Sequence, residues 1–137
     1  MLKVVVDTNL FVRGLLKGKT VLSLFVAFKN KKFQLVISTA LLAELIDVLG
    51  RKRLKKYFTV EEVGELITFI EKEAIIVESN ETIKDCRDVK DNIVLECAIS
   101  AKADYIVTAD VDLLVLNPYR KTKIVSPQEF MLQAFAI

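Results

Sequence analysis

The sequence predicts an α/β domain built on a central, mainly parallel sheet with helices on both faces. Three observations carry this. Short apolar, largely β-branched runs recur at residues 4–6, 33–37, 75–77, 105–107 and 124–125, with helical patterns between them. The first run, Val4-Val5-Val6, is apolar without alternation, as a strand covered on both faces must be. Two runs stop at an acid: Asp7 follows the first, and Thr108-Ala109-Asp110 follows the fourth. Open α/β sheets bind their ligands at that edge.

Each element has its own signal. After Asp7-Thr8-Asn9, the apolar residues Leu10, Phe11, Val12, Leu15 and Leu16 predict a short helix broken near Gly18. Residues 21–28 are almost wholly apolar and predict a buried helix. Strand 33–37 leads to Ser38 or Thr39, either of which can cap a helix running to about Leu49. On that helix Leu41, Leu42, Leu45, Ile46, Val48 and Leu49 form a broad apolar stripe, and Asp47 points away from it. Thr59-Val60-Glu61-Glu62 is a capping-box pattern opening a helix to about Ala74. Residues 78–87 are polar and predict a loop. Asp88 then caps a helix running to about Lys102. At the end, Ser126-Pro127-Gln128-Glu129 combines an N-cap, a Pro at the first helical position and a capping Glu.

Length and composition narrow the function. A chain of 137 residues predicts one domain, 1–137, with no linker, repeat or membrane span. The first residues already read as a strand rather than a signal peptide, so a cytoplasmic location is expected. The net charge of +2 is small, but basic residues cluster at 29–32, 51–56 and 120–123. These clusters fit either a solvated surface or a polyanion partner. Cys86 and Cys97 have neither zinc spacing nor the numbers for a disulfide framework. The chain contains no His, which excludes Ser-His-Asp and Cys-His catalysis and the usual zinc-hydrolase ligands. Any hydrolysis is then left to carboxylates and an oxygen-loving metal.

Four acids are candidates for such a site: Asp7, Glu44, Asp91 and Asp110. Each has two readings. Asp7 either caps the next helix or faces a ligand. Glu44 lies on the edge of the apolar stripe, and either meets a Lys or water, or faces a cation. Asp91 suits the first turn of its helix electrostatically, yet shares a face with Leu95 and Ala98. Asp110 repeats the strand-then-acid logic of Asp7. Like charges gathered in one pocket need an offset, and Mg²⁺ or Mn²⁺ with oxygen ligands supplies it. One or two such ions can acidify a water and clamp a phosphodiester.

Asp7-Thr8-Asn9, the helix with Glu44-Leu45-Ile46-Asp47-Val48-Leu49, Asp88-Val89-Lys90-Asp91-Asn92, and Thr108-Ala109-Asp110-Val111-Asp112-Leu113-Leu114 resemble the motifs of PIN-domain nucleases. The resemblance runs from Val4 to the helix holding Pro127-Gln128-Glu129-Phe130. It implies a three-layer α/β/α fold around a twisted, mainly parallel sheet. It also implies a Mg²⁺- or Mn²⁺-dependent nuclease, most often acting on RNA. The catalytic and metal-binding role falls on Asp7, Glu44, Asp91 and Asp110, with Asp112 a fifth candidate. Asn9 and Thr108 match supporting polar positions, and Asp88 joins them as the helix cap. Many small members resemble toxins of toxin–antitoxin modules, similar to VapC, which implies a homodimer and a cognate antitoxin. From the residues themselves, Arg51, Lys52, Arg53, Lys55 and Lys56 are the expected contacts to a nucleic-acid backbone. Three alternatives stand beside this reading. They are a non-catalytic RNA- or protein-binding module of the same fold, an RNA-processing nuclease outside a toxin–antitoxin system, and a phosphatase or phospho-acceptor domain. Asp7-Thr8-Asn9 lacks the second acid of the common Asp-x-Asp phosphatase motif.

Overall fold

The computed structural model describes residues 1–16 and 19–136. The expected break near Gly18 lies outside the described residues. Five strands form one all-parallel sheet: β1 (Lys3–Val6), β2 (Gln34–Ser38), β3 (Ile75–Val77), β4 (Tyr105–Val107) and β5 (Lys123–Val125). Seven helices are found among the described residues: α1 (Thr8–Leu15), α2 (Lys19–Lys29), α3 (Thr39–Leu49), α4 (Val60–Glu73), α5 (Val89–Ala101), α6 (Val111–Leu114) and α7 (Pro127–Phe135). No described helix is long and apolar enough to cross a membrane.

The strand order is β3-β2-β1-β4-β5. The chain therefore builds outward from β1 on one side, then returns to β1 and builds outward on the other. This makes β1 and β4 the neighbours at which the winding direction reverses, and a crevice opens at their carboxyl ends. Val4, Val5 and Val6 are all buried, so the central strand is covered on both faces. Helix α5 packs across β1, β2, β3 and β4, whereas α7 packs on β4 and β5 and against α2. The result is a three-layer α/β/α domain. Aromatic pairs join its parts: Phe28 meets Phe33 and Phe69, and Phe130 meets Phe33, Tyr105 and Phe135. Gly14 lets α1 and α2 approach closely, since a Cβ there would fall 2.5 Å from the Phe25 ring.

Most local signals act as read, though the Glu129 carboxylate accepts from Gln133 rather than closing a capping box. Thr59 and Glu62 form the reciprocal capping box of α4. Ser38 caps α3 by accepting the Leu41 N–H, and Ser126 caps α7 by accepting that of Glu129. The apolar stripe of α3 is narrower than expected: Leu41, Leu45, Val48 and Leu49 are buried, but Ile46 is exposed. Both thiols are free, and burial pushes Cys97 up to about 11 despite hydrogen bonding to Ser38.

Candidate metal centre

The site begins with strand register. Val6 pairs with Val107 across β1 and β4, so Asp7 and Thr108 emerge side by side. The Asp7 N–H continues the ladder to the Val107 carbonyl at 3.0 Å. The fully buried Thr108 hydroxyl donates to Asp7 Oδ2 at 2.7 Å and accepts the Asp110 N–H at 3.0 Å. One hydroxyl thus fixes the spacing of two acids. Asp7 occupies the N-cap position of α1, yet its side chain makes no capping hydrogen bond. Asp110 does cap, through Oδ1 to the Asp112 N–H at 2.9 Å.

Asp91 arrives from the opposite direction, in the first turn of α5. Asp88 caps that helix by accepting the Lys90 N–H at 3.0 Å. Asn92 fixes the preceding loop by bonding both the N–H and the carbonyl of Cys86. These contacts hold Asp91 at 6% exposure, facing the sheet edge where Asp7 is 7% exposed. Oxygens of Asp91, Asp110 and Asp112 converge within 4.8 Å of one another. Arg87 partly offsets Asp112 through an exposed ion pair at 3.3 Å.

The electrostatics show strain among like charges. Burial raises the Asp91 carboxyl to about 7, helped by the charge of Asp110, a hydrogen bond shared with it, and the charges of Asp88 and Asp7. Asp7 is also raised, first by burial; the Thr108 hydrogen bond opposes this and the Asp110 charge adds to it. A set of buried carboxylates that resist joint ionisation fits a hard divalent cation. The cation would offset their repulsion with an all-oxygen donor set.

A cavity of about 240 Å³ opens over this edge. Asp7, Asp88, Asp91 and Asp110 line it with Thr8 and Asn9, and so do Glu44, Arg51, Arg53 and Lys90. Asp7, Glu44, Asp91 and Asp110, far apart in sequence, thus face one space. Their settings differ. Glu44 pairs with the Lys90 ammonium at 3.4 Å. Asn9 is exposed at the cavity it lines. Of the basic run, Arg51 and Arg53 line the cavity, and Arg51 also pairs with Asp47 at 3.5 Å. Lys52, Lys55 and Lys56 are exposed outside the cavity lining, and Lys56 lies 5.3 Å from the Tyr57 ring centre.

Sequence reasoning missed Lys90 as a wall of this cavity, although its position between Asp88 and Asp91 was a usable signal. It also missed the Arg87 partner of Asp112. The Thr8 hydroxyl, buried without a hydrogen-bond partner among the described residues, carried no signal at all.

Comparison with known proteins agrees with the geometry. A family model described as PIN domain matches residues 3–112, which include all four acids. The uncharacterized protein MJ1680 of Methanocaldococcus jannaschii is 30% identical over 144 residues, spanning 95% of this chain and 90% of that protein. The matched length covers most of the sheet and the whole acidic edge, and the chain belongs to the PIN-domain family.

Proposed function

We propose that this PIN domain is a Mg²⁺- or Mn²⁺-dependent endoribonuclease that hydrolyses RNA phosphodiester bonds at the acidic edge of its sheet. The carrying observation is the cavity lined together by Asp7, Glu44, Asp91 and Asp110 and by Arg51 and Arg53. Asp7, Glu44, Asp91 and Asp110 are the residues to hold the ion, with Asp112, whose oxygen converges with those of Asp91 and Asp110, as a fifth candidate. When bound, such an ion supplies a water of lowered pKa and charge stabilisation for the phosphate. Thr108 holds Asp7 and Asp110 at fixed spacing, so little reorganisation is required of them. Arg51 and Arg53 line the same cavity as the acids and suit the anionic backbone. Burial of Asp7 and Asp91 keeps bulk water from competing for their oxygens.

Purified protein incubated with single-stranded RNA tests this reading. Cleavage should require Mg²⁺ or Mn²⁺, stop with chelator, and be lost in Asp7→Asn. Intact RNA in the presence of either metal would remove the nuclease reading and favour a binding module of the same fold.

The finer biological role we propose is that of a cytoplasmic, homodimeric toxin paired with an antitoxin, similar to VapC. The four-motif resemblance and the small single-domain size support it. An apolar groove of about 420 Å³ between α1, α2 and α4, lined by Phe11, Leu15, Leu22, Phe25, Leu66 and Phe69, suits a protein partner. Expression should arrest growth, and co-expression of a small protein encoded beside it should restore it. Normal growth on expression of an RNA-cleaving protein would favour an RNA-processing role instead.

A further inference from the structure

Residues 78–87 connect β3 to α5 and belong to no helix or strand. Their N–H groups must find acceptors outside a regular ladder. One face of α5 supplies them. Asn92, Glu96 and Ser100 stand four residues apart and so share a stripe along the helix. Asn92 Oδ1 accepts the Cys86 N–H at 2.8 Å, Glu96 Oε2 that of Ile83 at 2.9 Å, and Ser100 Oγ that of Asn80 at 3.0 Å. Every third N–H of the connection thus meets every fourth side chain of the helix, and the two run antiparallel. The middle contact is charge-assisted and holds Ile83, which is buried in the core.

The same connection reaches the other way with its side chains. Asp85 accepts the Tyr119 hydroxyl, Glu81 pairs with Arg120 at 3.4 Å, and Arg87 pairs with Asp112 at 3.3 Å. Tyr119 is itself fixed by backbone hydrogen bonds with Thr122 in both directions. The three partners lie between β4 and β5, on the segment that also carries Asp110. The connection is therefore tied by its backbone to the helix of Asp91, and by its side chains to the segment of Asp110 and Asp112. Those are the acids whose oxygens converge within 4.8 Å. Like charges so close push their carriers apart. A tie between the carriers opposes that push and leaves less rearrangement to be made when an ion binds.

Resting on the metal-dependent nuclease reading, we propose that the 78–87 connection is a strap that holds the Asp91 helix against the segment bearing Asp110 and Asp112, with Glu96 and Tyr119 as positioning residues for metal binding. Both act through the strap rather than on the ion. Glu96 grips it from α5, and Tyr119 grips it from the far side. The exposed Arg120–Glu81 and Arg87–Asp112 pairs add little by themselves.

Calorimetric titration of the full chain with Mn²⁺ tests this without RNA or turnover, and thermal melts in chelator run beside it. Glu96→Ala should weaken Mn²⁺ binding about tenfold, in the range of a lost supporting contact. Glu96→Gln should restore it to within about twofold of wild type, since the amide oxygen still accepts the Ile83 N–H. Tyr119→Phe removes only a hydroxyl from the opposite side of the strap, and should weaken Mn²⁺ about threefold. Ser126→Ala, at the distant start of α7, is the control: it should melt earlier in chelator and bind Mn²⁺ as wild type does. If Glu96→Ala also melts earlier but keeps the wild-type Mn²⁺ affinity, the strap is a purely structural feature and the proposal is overturned. Equal losses in Glu96→Gln and Glu96→Ala would overturn it too, because charge and not the hydrogen bond would then matter. Should Glu96→Ala fail to fold, an unchanged affinity in Tyr119→Phe is enough to overturn it. In each of these cases Mn²⁺-dependent RNA cleavage by wild type leaves the nuclease reading standing, whereas a wild type that binds no Mn²⁺ removes both.

Discussion

Two kinds of strand-to-helix junction meet the carboxyl edge of this sheet. At the ends of β2 and β5, Ser38 and Ser126 turn the chain into α3 and α7, each accepting a backbone N–H three residues on. At the end of β1, Asp7 holds the same position before α1 but gives its carboxylate to the Thr108 hydroxyl instead. Asp110, after β4, does both: one oxygen caps α6 and the residue joins the convergence with Asp91 and Asp112. The same local chemistry thus serves structure at two junctions and a shared charged site at two others. What separates them is neighbourhood. β1 and β4 adjoin where the winding reverses, so their junctions face each other, whereas β5 lies at the sheet's edge.

The largest expected effect that separates the two kinds is on RNA cleavage. Asp7→Asn and Asp110→Asn should each lower kcat/KM by about 10³-fold or more, corresponding to about 4 kcal/mol of lost transition-state stabilisation. Thr108→Val, which removes the hydroxyl between them, should cost about 10–100-fold. Ser126→Ala should cleave at the wild-type rate. Initial-rate assays on one RNA substrate rank the four, and equal losses in Ser126→Ala and Asp7→Asn would erase the distinction.

Next in size is the response to metal. A folded pocket of clustered acids binds Mn²⁺ far better than an unfolded chain that spreads them apart. At about 100 times its dissociation constant, one ion should add about 2.7 kcal/mol, on the order of 10 °C in Tm for a domain of this length. Thermal melts with Mn²⁺ and with chelator measure it. A wild type that melts at one temperature in both would mean that the acids do not share an ion.

The pH dependence of the metal-free protein is expected to be smaller and opposite to that of an ordinary paired carboxylate. Asp91 is raised in the folded state from 3.8 to about 7, so the folded protein holds its proton longer than the unfolded one. Its contribution is full below about 4 and is lost as pH rises through about 7. In that window the slope attributable to Asp91 approaches 1.4 kcal/mol per pH unit at most, roughly one proton. Denaturation in chelator at several pH values, for wild type and Asp91→Asn, isolates it. Wild type should lose stability relative to the variant as pH rises. Parallel curves would show that Asp91 ionises freely.

Much of this was legible in the sequence, for reasons that can be named. Val4-Val5-Val6 announced a doubly covered strand because parallel central strands tolerate no alternation. Thr59 with Glu62, and Ser126 with Pro127, announced helix starts because those side chains act within one turn. Asp7 and Asp110 were visible as acids placed where strands end. Glu44 was harder, since its surroundings come from α5, which begins 45 residues later in the chain. Position on the edge of a helical stripe left two readings open, a Lys or water against a cation, and did not single out Lys90. Ile46 was misplaced for the same reason: periodicity assigns a face, while packing decides how wide that face is. The basic run from Arg51 to Lys56 read as uniform, yet only Arg51 and Arg53 face the cavity, because the chain makes a tight 3-10 turn at Lys52–Leu54.

The smallest effect gives the sharpest contrast between a cap and a site. Ser126 satisfies one N–H at the start of α7, so Ser126→Ala should lose about 1 kcal/mol. That loss should be the same with chelator and with Mn²⁺, because nothing about the acids changes. Asp7→Asn should behave in the reverse way. Asn keeps the volume and can still accept from Thr108, while one of the crowded charges disappears. Asp7 makes no full capping bond, and the pull of the Asn9 and Thr8 N–H groups on its charge ranks below the Asp110 repulsion. Metal-free stability should therefore be unchanged or higher, by up to about 1 kcal/mol, and the Mn²⁺-induced shift should shrink. Four melts suffice: both variants, each with chelator and with Mn²⁺, read against wild type. If Asp7→Asn melts earlier than wild type in chelator and keeps the full metal shift, Asp7 is a structural residue like Ser126. The difference between the two kinds of junction would then reduce to Asp110 alone.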